Sequence, residues 1–459
     1  MANVYVQRQT RRSIFLFACE SVLITGAVAV STSMLLGAEA PVFSNPIMVW
    51  KTGLVALVYQ LCLYYADSHD FGLTANRREL LVRILQGLGA SSLVLATVYF
   101  WFPGLIIAHG VVTLAAMLAV GVVVIWRIAF MWLAGSVGRR RRFLLLGASP
   151  SAVSLVPELQ ERGIEIVGII DAEPSTVRAD LPAPGIIGTI EDIPAIVRAR
   201  SVDRVVVSLA DARGKLPMAT LLRMKFDGVA FDHLASVYEE YTGKIAVENL
   251  RPSWLIFADG FRKTRTLTMV KRAIDAVIAA AALILLSPLL LALALAVKLS
   301  SRGPVLYHQQ RVGQDGWLFH VHKFRSMRQN AERETGAIWA RKHDDRVTRI
   351  GGFLRRARLD ELPQLWNILC GHMSLVGPRP ERPEFVSSLS EQIPFYAQRH
   401  VVKPGLTGWS QVRYTYGASV EDAMEKLQYD LFYIKHMSIG LDLLIVLQTV
   451  KTVLLRSGA

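Results

Sequence analysis

The chain has 459 residues, of which 52% are hydrophobic and 19% charged, and its 51 basic and 37 acidic side chains give a net charge of +14. Soluble globular domains carry about 25% charged residues, so this composition does not fit an ordinary soluble enzyme, and the ample apolar surface excludes intrinsic disorder. The three cysteines include no C-x-x-C pair, which excludes a disulfide scaffold.

Four long apolar runs open the chain, and a helix needs about 20 such residues to cross the hydrocarbon core of a bilayer. The runs are Ile14–Leu36, Ile47–Tyr65, Leu80–Phe102 and Leu105–Trp126. The first is too long for a cleaved signal peptide, and no small-residue cleavage site follows it. Residues 1–137 are therefore predicted to form a four-helix transmembrane module.

The distribution of Lys and Arg orients this module, because short cytoplasmic loops are enriched in both. Basic residues precede the first run, lie between the second and third, and follow the fourth, whereas the other two connections contain none. The N-terminus and everything after the fourth run are therefore expected in the cytoplasm. Glu20 lies inside the first run, and we expect it near the end of a tilted helix.

Residues 138–260 alternate apolar strands with helical segments, which predicts a Rossmann-like domain with a parallel sheet. A dinucleotide site needs the glycines of G-x-G-x-x-G for a tight turn and close approach of the pyrophosphate. Here only Gly147 is present, and Ser149 and Ala152 replace the others. A non-catalytic or regulatory domain is therefore favoured. Its strands are predicted at Phe143–Gly147, Ile164–Ile170 and Asp203–Leu209, with a helix through Leu159 and another containing Ile193–Ala199.

A fifth apolar run, Ala273–Val297, has basic residues at both ends, which favours the cytoplasmic face for both. A crossing would also export residues 261–459, which carry 28 basic and 16 acidic side chains. Pro288 near its middle removes a helix hydrogen bond and breaks the helix. A re-entrant hairpin over residues 270–299 is predicted, with the Ser287 hydroxyl as a partner for freed backbone groups.

The acidic pair Asp360 and Glu361 lies before Pro363 and an apolar helical pattern, and three arginines precede it. A helix N-terminus favours an ionised carboxylate and a nearby phosphate. An ionised carboxylate beside bound phosphate can act as a nucleophile, and adjacent carboxylates suit Mg²⁺. From these two residues alone, a capping aspartate with a first-turn acid is the favoured interpretation, because capping acids are common.

Basic residues in loops punctuated by Pro and Gly make a phosphate site more plausible, because arginine and lysine neutralise phosphate oxygens. The candidates are Lys323 and Arg325 in K-F-R-S-M, and Arg379 between two prolines. Trp409 either stacks on a base or packs in the core. His320 and His322 have no third ligand at metal spacing, and a structural role is favoured for both. Asp344 and Asp345 are expected in a solvated loop.

Several separate motifs occur together in the last 192 residues, including R-A-R-L-D-E-L-P-Q, M-S-L-V-G-P-R-P and K-P-G-L-T-G-W-S-Q-V. In these motifs, residues 268–459 resemble the catalytic domain of the polyprenyl-phosphate phosphoglycosyl transferases, the monotopic bacterial sugar transferase family. The whole chain resembles their large exopolysaccharide-biosynthesis members. The resemblance implies a multi-domain membrane α/β protein: a transmembrane module, a Rossmann-like domain, and an α-rich catalytic domain (261–459) with the re-entrant hairpin.

The resemblance also implies a reaction. The aspartate of the acidic pair, here Asp360, attacks the β-phosphate of a UDP-sugar, UMP leaves, and the phosphosugar passes from the aspartate to polyprenyl (undecaprenyl) phosphate as the first membrane step of repeat-unit synthesis. Glu361 orients the nucleophile and binds Mg²⁺ with Asp360. Lys323, Arg355 and Arg379 match the family's basic site residues, and Arg325 joins them as a substrate-binding candidate. His372 stands where many members carry Asp.

The implied partners are a UDP-sugar, polyprenyl phosphate and the lipid bilayer, with no nucleic acid, in the bacterial inner membrane. The sugar, a homodimer and any ligand of the Rossmann-like domain stay open. The alternatives are a membrane scaffold of polysaccharide assembly and, more weakly, a nucleotide-sugar dehydratase or epimerase. The second needs a Tyr-x-x-x-Lys pair, which none of the 13 tyrosines provides, and an ATPase needs a P-loop, which does not occur.

Overall fold

The computed structural model describes residues 3–37, 45–65, 77–108, 110–137, 142–161, 164–171, 185–208, 218–247, 260–261, 263–328, 346–414, 417 and 419–454. The chain divides into two compact units, Met1–Tyr241 and Thr242–Ala459. The three domain ranges drawn from the sequence stay a prediction.

The four predicted apolar helices are confirmed. Each contains a segment of 18 to 20 residues that is long and apolar enough to cross a membrane. Their buried faces share one core, which includes Ile24, Tyr59, Ile84 and Ala119. The helices are α1 (Asn3–Leu36), α2 (Pro46–Tyr65), α3 (Arg77–Trp101) and α4 (Val111–Val137).

A charged pair is buried between the first and fourth of these helices. Glu20 is near one end of the apolar segment Ala18–Leu36, as expected, and its carboxylate accepts two hydrogen bonds from the Arg127 guanidinium. Both side chains are buried. A buried charge is tolerated when it is paired and hydrogen bonded, so the pair allows the two helices to pack at this level.

The Rossmann-like prediction is confirmed: the described residues form a parallel sheet of five strands in the order β3-β2-β1-β4-β5. Alternate side chains of β1 are buried in two different hydrophobic cores. Phe143 and Leu145 belong to one core, and Leu144 and Leu146 belong to the other. The elements are β1 (Arg142–Leu146), α5 (Pro150–Glu161), β2 (Glu165–Ile170), β3 (Ile186–Gly188), α6 (Ile193–Ala199), β4 (Arg204–Val207), α7 (Met218–Phe226), β5 (Ala230–His233) and α8 (Leu234–Thr242).

The second unit begins with two helices that meet at a sharp bend. Helix α9 (Arg265–Leu285) and helix α10 (Ser287–Ser300) are bent by 64° at Leu286. Pro288 has no N–H to give to the carbonyl of Ile284, and the Ser287 hydroxyl donates to that carbonyl instead, at 2.7 Å. The predicted break and its serine partner are therefore both present.

Where the structure describes it, the remainder of the second unit is α-rich, with two small sheets. Strands β6 and β7 form an antiparallel hairpin, and β8 and β9 pair in parallel. The largest core surrounds α15 and includes Leu427, Leu431 and Tyr433. The elements are β6 (Leu306–Val312), β7 (Leu318–Phe324), α11 (Arg349–Arg356), α12 (Gln364–Cys370), β8 (Ser374–Val376), α13 (Pro383–Gln392), β9 (Gly405–Thr407), α14 (Trp409–Arg413), α15 (Val420–His436) and α16 (Ile439–Leu454).

Hydrogen bonds from the N-terminal half of α9 hold α12 and β8 in place. The Arg272 guanidinium donates to the carbonyls of Ile368 and Leu369 at 2.6 and 2.7 Å, which satisfies the end of α12. The buried Asp275 carboxylate accepts from the Ser374 hydroxyl at 2.7 Å and from the Leu375 N–H at 3.2 Å. The helix and the strand that follow the acidic pair in the chain are thus held against α9.

Candidate active site

The acidic pair lies in a tight turn between two helices. Arg358 lies between the end of α11 and this turn, and it has the left-handed backbone angles φ 55° and ψ 19°. A residue with a Cβ in this region costs about 1–2 kcal/mol, so the surrounding contacts must impose the turn. A 3₁₀ turn, Leu359–Glu361, follows and leads through Pro363 into α12. Asp360 is therefore in a separate turn ahead of the helix.

Glu361 lies between two cations. Its Oε1 accepts hydrogen bonds from Lys323 Nζ at 2.9 Å and from Arg379 Nη2 at 2.6 Å, and the residue is only 8% exposed. Burial raises the pKa of this carboxyl, but the charges and hydrogen bonds of Arg379 and Lys323 outweigh burial and lower the pKa below its ordinary value. Glu361 is therefore ionised throughout the neutral range.

Asp360, which is half-buried, has the opposite tendency. Burial and the adjacent Glu361 raise the pKa of Asp360 above its ordinary value, against the opposing charges of Lys323, Arg355 and Arg379. Five charged groups therefore act on one another in a single cluster. Two neighbouring carboxyls with pKa values moved in opposite directions are typical of sites where the two groups have different roles.

An amide side chain brings Lys323 to the acidic pair. Asn367 on α12 is fully buried, and its Oδ1 accepts from the His322 N–H at 3.0 Å. Its Nδ2 donates to the His320 carbonyl at 2.7 Å. Because both bonds are to the backbone of β7, the strand that carries Lys323 is fixed in register against the helix that follows Glu361.

Three glycines bring the Arg379 loop close to the K-P-G-L-T-G-W motif. A Cβ on Gly377 would be 2.4 Å from the Lys403 carbonyl oxygen, and one on Gly405 would be 2.1 Å from the Gly377 nitrogen. A Cβ on Gly408 would be 2.2 Å from the Gly377 carbonyl oxygen. Backbone therefore packs directly on backbone here, which larger residues would prevent. This packing places Arg379 next to α14.

The other two predicted basic residues are placed differently. Arg355, in the last turn of α11, acts on Asp360 through its charge. Arg325 is only 6% exposed, and its Nη2 donates to the Ser301 carbonyl at 2.7 Å and the Ser301 hydroxyl at 2.9 Å, at the end of α10. The structure thus brings Lys323, Glu361 and Arg379 into hydrogen-bond contact and directs Arg325 elsewhere. Its role in substrate binding stays a prediction.

Two other residues considered in the sequence analysis, Trp409 and His322, contact other parts of the protein. Trp409 is buried, donates from Nε1 to the Gly243 carbonyl at 2.9 Å and stacks on Phe432, so packing is the correct alternative. His322 forms a close Nδ1–Nδ1 contact of 2.6 Å with His308 across the hairpin. The residues Asp344 and Asp345 lie outside the described part of the chain.

The two carboxylates are also the candidate ligands for a metal ion. Within the described residues, no hydrogen bond reaches Glu361 Oε2, and no group of three or more His, Cys, Asp or Glu side chains could hold a metal ion. Mg²⁺ commonly takes one or two carboxylates together with substrate phosphates. The pair therefore fits Mg²⁺ only in company with a phosphorylated ligand.

The chain combines four helices long and apolar enough to cross a membrane with a cluster of two carboxylates and their basic partners, and two known families match parts of it. A family profile described as "Bacterial sugar transferase" matches residues 266–456. A second profile, described as "CoA-binding domain", matches residues 66–216.

Curated relatives carry the comparison further. The chain is 43% identical over 227 residues to the UDP-N-acetylgalactosamine-undecaprenyl-phosphate N-acetylgalactosaminephosphotransferase of Aeromonas hydrophila, covering 50% of this chain and 53% of that protein. It is 43% identical over 217 residues to the UDP-glucose:undecaprenyl-phosphate glucose-1-phosphate transferase of Xanthomonas campestris pv. campestris, covering 47% and 44%. The protein of the same name from Klebsiella pneumoniae is 36% identical over 328 residues, covering 68% and 67%.

The matched region thus spans about half the length of the first two of these relatives and two thirds of the third. The chain belongs to the bacterial sugar transferase family, the polyprenyl-phosphate phosphoglycosyl transferases. The family resemblance drawn from the sequence motifs is confirmed.

Proposed function

We propose that this protein transfers a sugar-1-phosphate from a UDP-sugar to polyprenyl phosphate, as an early membrane step of exopolysaccharide synthesis. The observation that carries the proposal is Glu361 clamped between Lys323 and Arg379, with the half-buried Asp360 beside it. Asp360 thus lies in the field of two cations of the kind that neutralise phosphate oxygens. The names of the relatives, which specify UDP-sugars and undecaprenyl phosphate, support the same reaction.

The proposed chemistry has two displacements at one phosphorus atom. An oxygen of the Asp360 carboxylate attacks the β-phosphorus of the donor, the bond to the bridging oxygen breaks, and UMP leaves with that electron pair. An oxygen of polyprenyl phosphate then attacks the phosphorus of the aspartyl phosphosugar, and the carboxylate is released unchanged. Lys323 and Arg379 neutralise the phosphate oxygens, which is where most of the stabilisation of phosphoryl transfer arises.

Glu361 would keep the two cations in place and stay ionised while Asp360 is consumed and regenerated. Together with Asp360 and the donor phosphates it would hold Mg²⁺, which supplies additional charge neutralisation at the diphosphate when bound. Removal of divalent cations with EDTA should abolish transfer.

The bent pair α9 and α10 supports a placement of this site at the cytoplasmic surface of the inner membrane. Both ends of the pair carry basic residues, and the bend is 64°. We infer that the pair enters and leaves the bilayer on the cytoplasmic side. Because Arg272 and Asp275 bind α12 and β8, the acidic pair would then lie where a soluble donor meets a lipid acceptor.

Membranes containing the protein test the reaction directly. Incubation with polyprenyl phosphate and a panel of radiolabelled UDP-sugars should give lipid-linked sugar phosphate and equimolar UMP with at least one donor. Release of UDP instead of UMP, or no lipid product with any donor, would contradict the proposal.

Cysteine labelling tests the hairpin. In a variant without the three native cysteines, we expect a membrane-impermeant maleimide to label Ser300→Cys and Gln392→Cys only in inverted vesicles. Gly104→Cys, in the connection between α3 and α4, is the opposite control and should react only from the outer face. Labelling of Ser300→Cys together with Gly104→Cys would rule out a re-entrant path.

Lys323→Met should shift the pH dependence of activity. The Lys323 charge lowers the pKa of Asp360, so its removal raises that pKa further and leaves less ionised nucleophile at a given mildly acidic pH. The acidic limb of kcat/KM against pH is therefore expected to move to higher pH. Lys225→Met, an exposed lysine on α7, should leave the limb unchanged. If the acidic limb of Lys323→Met does not move, the Lys323 charge does not influence the ionisation of Asp360.

A further inference from the structure

A glutamine holds Arg379 from the side opposite Glu361. Gln411, the third residue of α14, accepts a hydrogen bond at its Oε1 from Arg379 Nη1, at 3.0 Å. Arg379 Nη2 donates to Glu361 Oε1, so the two ends of the guanidinium are each fixed by a different partner. The Arg379 side chain is nevertheless 37% exposed, so part of it can meet a ligand.

Gln411 is poorly satisfied apart from this contact. Its Nε2 is buried and has no hydrogen-bond partner within the described residues. A buried amide donor without a partner is destabilising, because it has lost its hydrogen bonds to water. An apolar side chain of similar size would avoid that cost, so the fold gains little from an amide here. The bond to Arg379 is what the glutamine provides.

The backbone of Arg379 is fixed by a second set of contacts. The Arg379 carbonyl accepts from Arg399 Nη2 at 3.2 Å, and Arg399 forms a buried ion pair with Asp430 at 2.7 Å. The Asp430 Oδ1 accepts from the hydroxyl of Ser410 at 2.8 Å. Helix α14 therefore holds Arg379 twice, through Gln411 at the guanidinium and through Ser410 and its partners at the carbonyl.

We propose that Gln411 is a positioning residue that orients Arg379 toward the diphosphate of the donor. The inference rests on the proposed function and adds a residue that acts through Arg379. A guanidinium pinned at both ends presents its free N–H groups in one geometry before the donor arrives, so less orientational freedom is lost on binding. Without Gln411, Arg379 keeps its charge but loses this fixed orientation.

Gln411→Met separates positioning from a structural role. The substitution removes the acceptor for Arg379 and the unsatisfied donor together, and methionine fills a similar volume. We expect the full chain in nanodiscs to bind UDP about tenfold more weakly, with a lower kcat, because hydrogen bonds to charged groups contribute this much. The apparent melting temperature should be unchanged or higher. Gln398→Met, at an exposed glutamine, is the matched control and should change neither quantity.

A double-mutant cycle measured by UDP affinity completes the test. In an Arg379→Ala background, Gln411→Met should change the Kd for UDP by less than about twofold, because its partner is already absent. Equal losses in both backgrounds, or a lower melting temperature with unchanged affinity, would overturn the positioning role. If the wild-type chain makes no lipid-linked sugar phosphate and binds no UDP, the proposed function itself fails, a result distinct from both.

Discussion

Asp360→Asn is expected to reduce sugar-phosphate transfer by at least about 10⁴-fold, because removal of the proposed nucleophile from a covalent mechanism costs this much or more. The substitution keeps the size of the side chain and removes only its charge and nucleophilicity. The protein should fold normally, since the Asp360 side chain is half-buried and Asp360 forms no hydrogen bond that holds another element within the described residues. Transfer of label from a UDP-sugar to polyprenyl phosphate measures the effect.

Asp315→Asn is the matched control for this change. Asp315 is exposed in the turn between β6 and β7 and has a positive φ of 53°, which asparagine also tolerates. The transfer activity of the Asp315→Asn variant should equal that of the unmodified protein. Substantial activity in Asp360→Asn, with Asp315→Asn normal, would show that another group attacks the donor.

Glu361→Ala is expected to affect both stability and activity. It leaves Lys323 and Arg379 beside each other without their shared carboxylate, and loss of one partner of a buried ion pair costs about 3 kcal/mol or more. Hydrogen exchange of the full chain in nanodiscs should show faster opening of β7 and of the Arg379 loop. Transfer activity should fall by about 100-fold or more, because the two cations proposed to bind phosphate lose their fixed positions.

Glu361→Gln should have a milder effect on exchange, because an amide oxygen still accepts a hydrogen bond from Lys323 or Arg379. Glu384→Gln, at an exposed glutamate in the first turn of α13, is the control and should behave like the unmodified protein. Unchanged exchange and full activity in Glu361→Ala would mean that the clamp has no part in binding or catalysis.

The charged members of the site were predictable because each stands in a conspicuous sequence context. Asp360 and Glu361 follow an arginine cluster and precede a proline, and Arg379 lies between two prolines. The break at Pro288 and its serine partner followed from the chemistry of proline alone. The central strands β1, β2 and β4 were predicted to within two residues because each is a short, continuous apolar run.

Other features left no comparable signal. Strand β5, with the sequence A-F-D-H, lacks an apolar run and forms because the edge of an existing sheet is available to it. Asn367 and Gln411 are neutral amides whose importance depends on partners distant in sequence. Arg399 and Asp430 are 31 residues apart, and no spacing rule pairs them. Arg325 shares a motif with Lys323, but β7 ends at Phe324 and the Arg325 side chain contacts the end of α10, a contact that the motif does not indicate.

The most direct test of the account is whether the phosphosugar becomes attached to Asp360. The purified full chain, supplied with a UDP-sugar labelled with ³²P at the β-phosphate and no lipid acceptor, should acquire label on the peptide that contains Asp360 and release an equal amount of UMP. Addition of polyprenyl phosphate should then transfer the label to lipid. A protein that stays unlabelled, and releases UMP only when the acceptor is present, would contradict a covalent aspartyl intermediate and favour direct transfer from donor to lipid.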